Sequence, residues 1–275
     1  MCIFVPMNKL NRTQLLPDRP GIPPMAPMPE PEVVDPAALA AAYRQGDIDL
    51  ICVLGPTASG KTRYAVQLAR QMGHAEILSA DSRQIYVGMD IGTGKDLREY
   101  GEVPYHLIDL VPAGTKYNIY QYQKAFADAY AAVRTSGAIP ILCGGSGLYI
   151  EAVTRAYKFE KENGLPASVL PRNVYYIGTL VSREERVARI DRRLEERLQE
   201  GLVEEARGLM ETVSAQDLIY YGLEYKFVTQ YLLGELSYDD MVIALGNAIH
   251  QFAKRQMTWF RGMERDGIRI HWVRP

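Results

Sequence analysis

Cysteine is scarce in this 275-residue chain, with only Cys2, Cys52 and Cys143, widely spaced. That excludes a disulfide framework and a CxxC metal pair, and it fits a reducing, cytoplasmic setting. Long apolar runs are missing too. None approaches the ~18 residues that a spanning helix needs, so no membrane association is expected. The opening Cys2-Ile3-Phe4-Val5-Pro6 lacks a basic leader, which argues against a signal peptide. Nor is there an excess of positive charge. Lys and Arg number 31 against 33 Asp and Glu, so any contact with nucleic acid must rest on local charge. The remaining composition, 47% apolar and 23% charged, excludes collagen-like and wholly disordered classes.

Eight of the sixteen prolines fall between Pro17 and Pro36, in a Met/Pro-rich stretch that cannot sustain a helix or a ladder. Residues 1–46 are therefore expected to be a flexible tail, with a brief Ala-rich helical piece at Ala38 to Arg44, and 47–275 one core domain. From Ile48 onward, apolar runs of strand length alternate with helical segments, the pattern of βαβ units and a mainly parallel sheet. Strands are expected at Ile48 to Leu54, Glu76 to Ala80, Tyr105 to Val111, Ile139 to Cys143 and Val174 to Val181. Helices are expected at Lys61 to Met72, Ile119 to Arg134, Arg183 to Met210 and Tyr238 to Arg261. In the third of these helices, Val187, Ile190, Leu194 and Leu198 form one apolar stripe.

The sharpest motif is Gly55-Pro56-Thr57-Ala58-Ser59-Gly60-Lys61-Thr62, which fits G-x-x-x-x-G-K-[ST] between an apolar strand and a helix. Its glycines let backbone N–H groups turn inward, and the helix N-terminus adds positive potential. Lys61 would reach terminal phosphate oxygens and the Thr62 hydroxyl would ligate Mg²⁺. A phosphate site alone does not name a reaction, because kinases and NTPases share it. Asp81 follows the next strand and opens on the same crevice. It reads equally as a turn residue or as a proton acceptor. Met89 to Lys95 is a loop able to fold over a ligand. Gly144-Gly145-Ser146-Gly147 is a second turn on the same sheet edge. The strand ending at Cys143 carries no acidic residue, unlike one that holds Mg²⁺ in an ATPase or GTPase, and the substitutes are Asp81 and Asp109.

Two surfaces concentrate positive charge. Arg189, Arg193 and Arg197 recur every four residues, with Glu185, Glu196 and Glu200 close enough to compensate. The row is either a solvated ion-pair face or a grip for pyrophosphate, whose oxygens suit guanidinium forks. From His250 on, Lys254, Arg255, Arg261, Arg265, Arg269 and Arg274 face only Glu264 and Asp266. This is either a polar face over a core helix or a phosphate-backbone contact.

Together these residues resemble the tRNA dimethylallyltransferase family of prenyltransferases. The resemblance runs through GPTASGKT (Gly55 to Thr62), SADSRQIYVGMDIGTGK (Ser79 to Lys95), VPYHLID (Val103 to Asp109), GGSGLY (Gly144 to Tyr149), RIDRR (Arg189 to Arg193), GLVEEARGL (Gly201 to Leu209) and AKRQMTWFRG (Ala253 to Gly262). It implies a P-loop NTPase-like α/β fold, a mainly parallel sheet flanked by helices with further C-terminal helices. It also implies that dimethylallyl diphosphate occupies the phosphate loop and that the N6 of adenosine 37 in the tRNA anticodon loop attacks it. By position, Asp81 would be the base, while Lys61, Thr62 with Mg²⁺ and Arg193 would stabilise the departing pyrophosphate. Ser82, Arg83, Gln84 and Ser146 match positions that touch the adenosine or its neighbours, and Lys254, Arg255 and Gln256 would contact RNA.

The chain departs from the family between Tyr149 and Asn173. There the family carries a helical insertion that grips the anticodon stem, and this chain has a short link with Tyr157, Lys158, Lys161 and Pro166. His250 replaces the usual Arg, the Glu224-Tyr225-Lys226 block lacks its glycine, and there is no C-terminal zinc finger. The expected protein is a monomeric, bacterial-type enzyme acting on tRNA. The alternatives are prenylation of free AMP, ADP or ATP, a small-molecule kinase, and a non-catalytic RNA-binding relative.

Overall fold

The computed structural model describes residues 29–155 and 169–275. The expected tail over residues 1–28 and the link residues Tyr157, Lys158, Lys161 and Pro166 lie outside the described residues.

Strand β1 (Leu50–Leu54) is buried along its whole length. Its residues alternate between two apolar layers, as a pleated strand requires. Ile51 and Val53 face one cluster, which holds Ala65, Leu68 and Ala69 of helix α2 (Lys61–Met72) and Leu39 and Ala40 of helix α1 (Pro36–Gln45). Leu50, Cys52 and Leu54 face the other, with Tyr122 and Phe126 of α3 (Ile119–Thr135), Ile150 of α4 (Gly147–Thr154) and Phe260 of α9 (Tyr238–Arg265). The sheet is six-stranded, in the order β4 (Tyr105–His106), β2 (Ala75–Ser79), β6 (Ile139–Gly144), β1, β7 (Val174–Thr179), β8 (Ile270–Val273). Every neighbouring pair runs parallel. With β1 at the centre, the carboxyl ends of β1, β2 and β6 open on one crevice, where ligands bind in such sheets.

A third apolar cluster joins α5 (Arg183–Glu200), α6 (Leu202–Leu209), α7 (Ala215–Tyr221), α8 (Leu223–Leu232) and α9 to Ile85, Tyr86 and Met89. It holds the helical half of the molecule against the loop that follows β2. No described helix is long and apolar enough to cross a membrane.

Three expected boundaries change. The helix from Arg183 to Met210 is two helices, α5 and α6, because Gly201 adopts a left-handed φ of 106° that no helix interior accepts. The strand from Tyr105 to Val111 is two short ones. Leu107 and Asp109 take positive φ between them, and β5 (Val111–Pro112) turns away to pair with β3 (Tyr86–Val87). The segment Asp35 to Gly46, expected to belong to the tail, is an ordered, capped helix. Asp35 caps α1 by accepting from the N–H groups of Ala37 (2.9 Å) and Ala38, Pro36 starts the helix and Gly46 ends it. Burying Leu39 and Ala40 against α2 offsets the cost of ordering the segment. Upstream of α1, the Glu32 N–H donates to the Trp272 carbonyl at 2.6 Å. Short elements missing from the sequence reading are β3, α4, α7, α8, β8 and a 3-10 turn at Leu97–Glu99.

The docking of α1 is testable by urea unfolding. Leu39→Ala is expected to lower stability by about 2 to 4 kcal/mol, the scale of a buried leucine truncation, whereas a change in a free tail would cost nothing.

Candidate active site

The phosphate loop leads from β1 into α2. Gly60 occupies the N-cap position with no side-chain cap, so the first N–H groups of α2 have no capping side chain to satisfy them. That is the local condition for an anion site at a helix N-terminus. Three braces hold the loop open. The buried Ser59 Oγ lies 2.6 Å from Thr179 Oγ1 at the end of β7. The Thr57 N–H donates to Gln256 Oε1 at 2.8 Å, and Gln256 Nε2 donates to the Gly145 carbonyl at 2.9 Å. Arg189 Nη1 donates to the Ala58 carbonyl at 3.5 Å.

Lys61 sits at the base of this loop. Burial pushes its pKa below the ordinary lysine value. The Asp81 carboxylate works against that shift, and Arg193 and Arg197 add to it. Among the described residues no hydrogen bond or ion pair engages the Lys61 ammonium. Burial pushes the Cys143 thiol up to about 12, with Lys61 and Thr62 acting against the shift. Cys143 is thus a neutral thiol at physiological pH and no substitute for a metal-binding carboxylate.

Asp81 is a turn residue that keeps one carboxylate oxygen unbonded among the described residues. Its Oδ1 accepts the Arg83 N–H at 2.9 Å, closing a side-chain turn, and among the described residues nothing bonds Oδ2. Ser82 and Ser146 meet across the crevice, the Ser82 N–H donating to Ser146 Oγ at 3.0 Å. Gln84 is fixed from both sides, accepting from Ser79 Oγ at 3.2 Å and donating to the Gly94 carbonyl at 3.1 Å. Asp109, a candidate substitute for the missing strand-end acid, is instead bonded to the buried Lys95 ammonium, which also bonds Asp90 at 2.6 Å. Asp109 is therefore committed to the loop. Among the described residues no group of three or more His, Cys, Asp or Glu is placed to hold a metal.

The arginine row on α5 is a set of ion pairs, mostly not with the acids expected from helical spacing. Arg189 does pair with Glu185, at 2.6 Å. Arg193 pairs with Asp96 from the loop after β3, and Arg197 pairs with Glu224 of α8 at 3.2 Å. Loss of water pulls the Arg197 pKa down and pushes that of Glu224 up. The row faces the crevice, since the Gly94 carbonyl lies 3.5 Å from Arg193 Nη2.

On α9, Lys254 and Arg255 are exposed, as an RNA-contacting surface requires, and the Arg255 guanidinium lies over the Phe252 ring. Gln256, grouped with them in the sequence, is a correction. It is 8% exposed and both ends of its amide are bonded to the phosphate loop and the Gly145 turn, so it braces the site and does not face RNA. His250 lies 2.8 Å from Asp191 and ties α9 to α5. Thr179, Asp96 and Glu224 were not legible as site residues, since each acts across a long sequence separation.

The crevice thus gathers a phosphate loop, an unpaired lysine and an available carboxylate oxygen. Comparison with known proteins decides the family. A family model described as IPP transferase matches residues 84–169 and 156–263, and one described as Isopentenyl transferase matches 48–103. The chain belongs to the tRNA isopentenyltransferase family. It is 45% identical to tRNA dimethylallyltransferase 2 of Bacteroides fragilis and 46% identical to tRNA dimethylallyltransferase 1 of Parabacteroides distasonis. These matches cover 82% of this chain and 93% and 92% of those proteins. Its fold is similar to the crystal structure of the tRNA isopentenylpyrophosphate transferase of Bacillus halodurans, with a TM-score of 0.73 and 27% identity over 82% of this chain and 89% of that one. The resemblance first read from seven motif blocks is therefore a family membership, and the P-loop NTPase-like architecture goes with it.

Two outcomes check the site. Because burial lowers the Lys61 pKa and a bound anion raises it, affinity for inorganic pyrophosphate should fall as pH rises through the free-protein value. Titration calorimetry should show that loss beginning below the usual lysine range, and Lys61→Met should remove it. Gln256→Ala, which strands the Thr57 N–H and the Gly145 carbonyl, should lower unfolding free energy by about 1 to 3 kcal/mol and weaken the same binding.

Proposed function

We propose that this chain transfers the dimethylallyl group of dimethylallyl diphosphate to the N6 of adenosine 37 in tRNA, releasing pyrophosphate. The observation that carries the reading is Lys61, a partly dehydrated cation with no anion of its own, beside Asp81 on the open end of a parallel sheet. A diphosphate supplies the missing anion. In the transfer, the N6 nitrogen forms a bond to C1 of the prenyl group and the C1–O bond breaks. The bonding pair leaves with pyrophosphate, and the N6 proton passes to Asp81 Oδ2. Charge grows on the leaving group as that bond breaks, so Lys61, the N-terminus of α2 and Arg193 stabilise the transition state more than the ground state.

The donor set fits Mg²⁺ in a limited way. This ion keeps several waters and takes few protein ligands when phosphates are present, so the Thr62 hydroxyl suffices as the protein ligand. When bound it would neutralise charge on the diphosphate. Gln84, Ser82, Arg83 and Ser146 line the same crevice and would receive the adenine, which must be unstacked from the anticodon loop to enter it. Lys254 and Arg255 would meet the RNA backbone. The setting is cytoplasmic, and the enzyme acts as a monomer.

A second acceptor, a free adenine nucleotide, is favoured by a specific observation. The match to the Bacteroides fragilis protein spans 285 aligned positions but only 82% of this chain, so about 60 positions have no counterpart here. The IPP transferase model also matches in two pieces that meet at residues 156–169. That is where the family's stem-gripping insertion is expected, and a free nucleotide needs no such grip.

Labelled dimethylallyl diphosphate, Mg²⁺ and unmodified tRNA should yield labelled RNA. No transfer to any stem-loop carrying the adenosine would overturn the proposal, and efficient turnover of AMP with no preference for RNA would move the acceptor to free nucleotides. Asp81→Asn is expected to retain dimethylallyl diphosphate binding and slow transfer by ~10² or more, the scale of lost general-base help. Unchanged turnover would reduce Asp81 to a turn residue.

A further inference from the structure

Glu205, on α6, is bonded far beyond what a surface glutamate needs. Its Oε2 accepts the N–H groups of Asp90 (2.9 Å) and Ile91 (2.7 Å), and its Oε1 accepts the Gly92 N–H (2.9 Å) and the Tyr225 hydroxyl (2.7 Å). Four donors use the full accepting capacity of one carboxylate. Three successive N–H groups turned to one side form a concave anion site of the kind that elsewhere binds phosphate, and here a side chain of the same protein fills it. Tyr225 is held as a neutral donor, its pKa pushed far up by burial and by the Glu205 charge.

The loop so gripped leads directly to the crevice. Two residues beyond Gly92, the Gly94 carbonyl accepts from Gln84 Nε2 at 3.1 Å and from Arg193 Nη2 at 3.5 Å, and Asp96 pairs with Arg193. Gly94 has φ 61°, and a Cβ there would lie 2.5 Å from Arg193 Nη2 and 1.8 Å from Arg197 Nη2. The loop backbone thus rests on both guanidinium groups. On its other side Lys95, bonded to Asp90 within the loop, anchors it to the Tyr86 carbonyl at 2.7 Å and to Asp109.

We infer that Glu205 is a positioning residue for the diphosphate end of the site. It acts through loop 90–96, which aims Arg193 at the leaving group and Gln84 at the acceptor. The inference rests on the reading of the crevice as a diphosphate site. A carboxylate serving only to dock α6 would stabilise the fold equally whatever side chain stood at 193. A positioning carboxylate acts on the ligand only while Arg193 is present.

The test is a double-mutant cycle on the full chain, with inorganic pyrophosphate and Mg²⁺ as the probe. Glu205→Gln should weaken pyrophosphate binding roughly 10-fold in the otherwise unaltered protein and less than about 2-fold in an Arg193→Ala background. Amide exchange at 90–92 should accelerate while that of β1 stays unchanged. Unaltered affinity, or the same loss in both backgrounds, would overturn the inference. If Glu205→Gln does not fold, Tyr225→Phe removes one of the four donors and should give a smaller loss with the same dependence on Arg193. An unaltered protein that binds no pyrophosphate would sink the diphosphate reading itself, whereas binding without coupling to Arg193 sinks only the role of Glu205.

Discussion

A lysine ammonium in a half-dry crevice with no carboxylate against it is an expensive thing to hold, because the charge has lost water and gained nothing in return. Lys61 is in that position, and burial lowers its pKa. The surroundings limit the cost without cancelling the charge. Asp81 lies near enough to be felt electrostatically, yet it spends one oxygen on the Arg83 N–H. Cys143 stands where related folds place an acid and remains a neutral thiol. The next cations, Arg193 and Arg197, are each given an acid, Asp96 and Glu224. Among the described residues Lys61 has no acid bonded to it, at the place where a bound anion would supply one.

That arrangement needs a rigid frame, and the frame is divided. The sheet and its two apolar layers fix the phosphate loop and the ends of β2 and β6. The helical half fixes the arginine row and, through Glu205, the loop after β3. The crevice is the seam between them. Ties that cross it include Thr57 to Gln256 and Arg189 to Ala58. The crevice thus sits where the sheet and the helical half meet, and α9 packs into both.

Much of this was legible in the residues. The alternation of apolar runs and helical segments placed β1 and α2, and the spacing of Gly55, Gly60 and Lys61 located the crevice, because both signals are local. Capping residues were equally local but underused. Asp35-Pro36 and Gly46 bracket α1, yet the proline density upstream masked a helix whose stability comes from Leu39 meeting α2. The break at Gly201 is one residue long and leaves the apolar period almost undisturbed. The bracing side chains were beyond reach for a different reason. Gln256 beside Lys254 and Arg255 looks like one more polar position on a basic helix, and only the packing of α9 against the sheet turns it toward Thr57 and Gly145. The partners of Arg193 and Arg197 were misread because helical spacing offers Glu196 and Glu200 first, whereas Asp96 and Glu224 come from segments brought near by tertiary packing.

The bond from the Thr57 N–H to Gln256 joins residues 199 positions apart. A ribosome making this chain releases the phosphate loop early and its brace late. At roughly 5 to 20 residues per second, the loop spends on the order of ten seconds or more without that contact. The brace that fixes the phosphate loop is therefore completed only after α9 has been made.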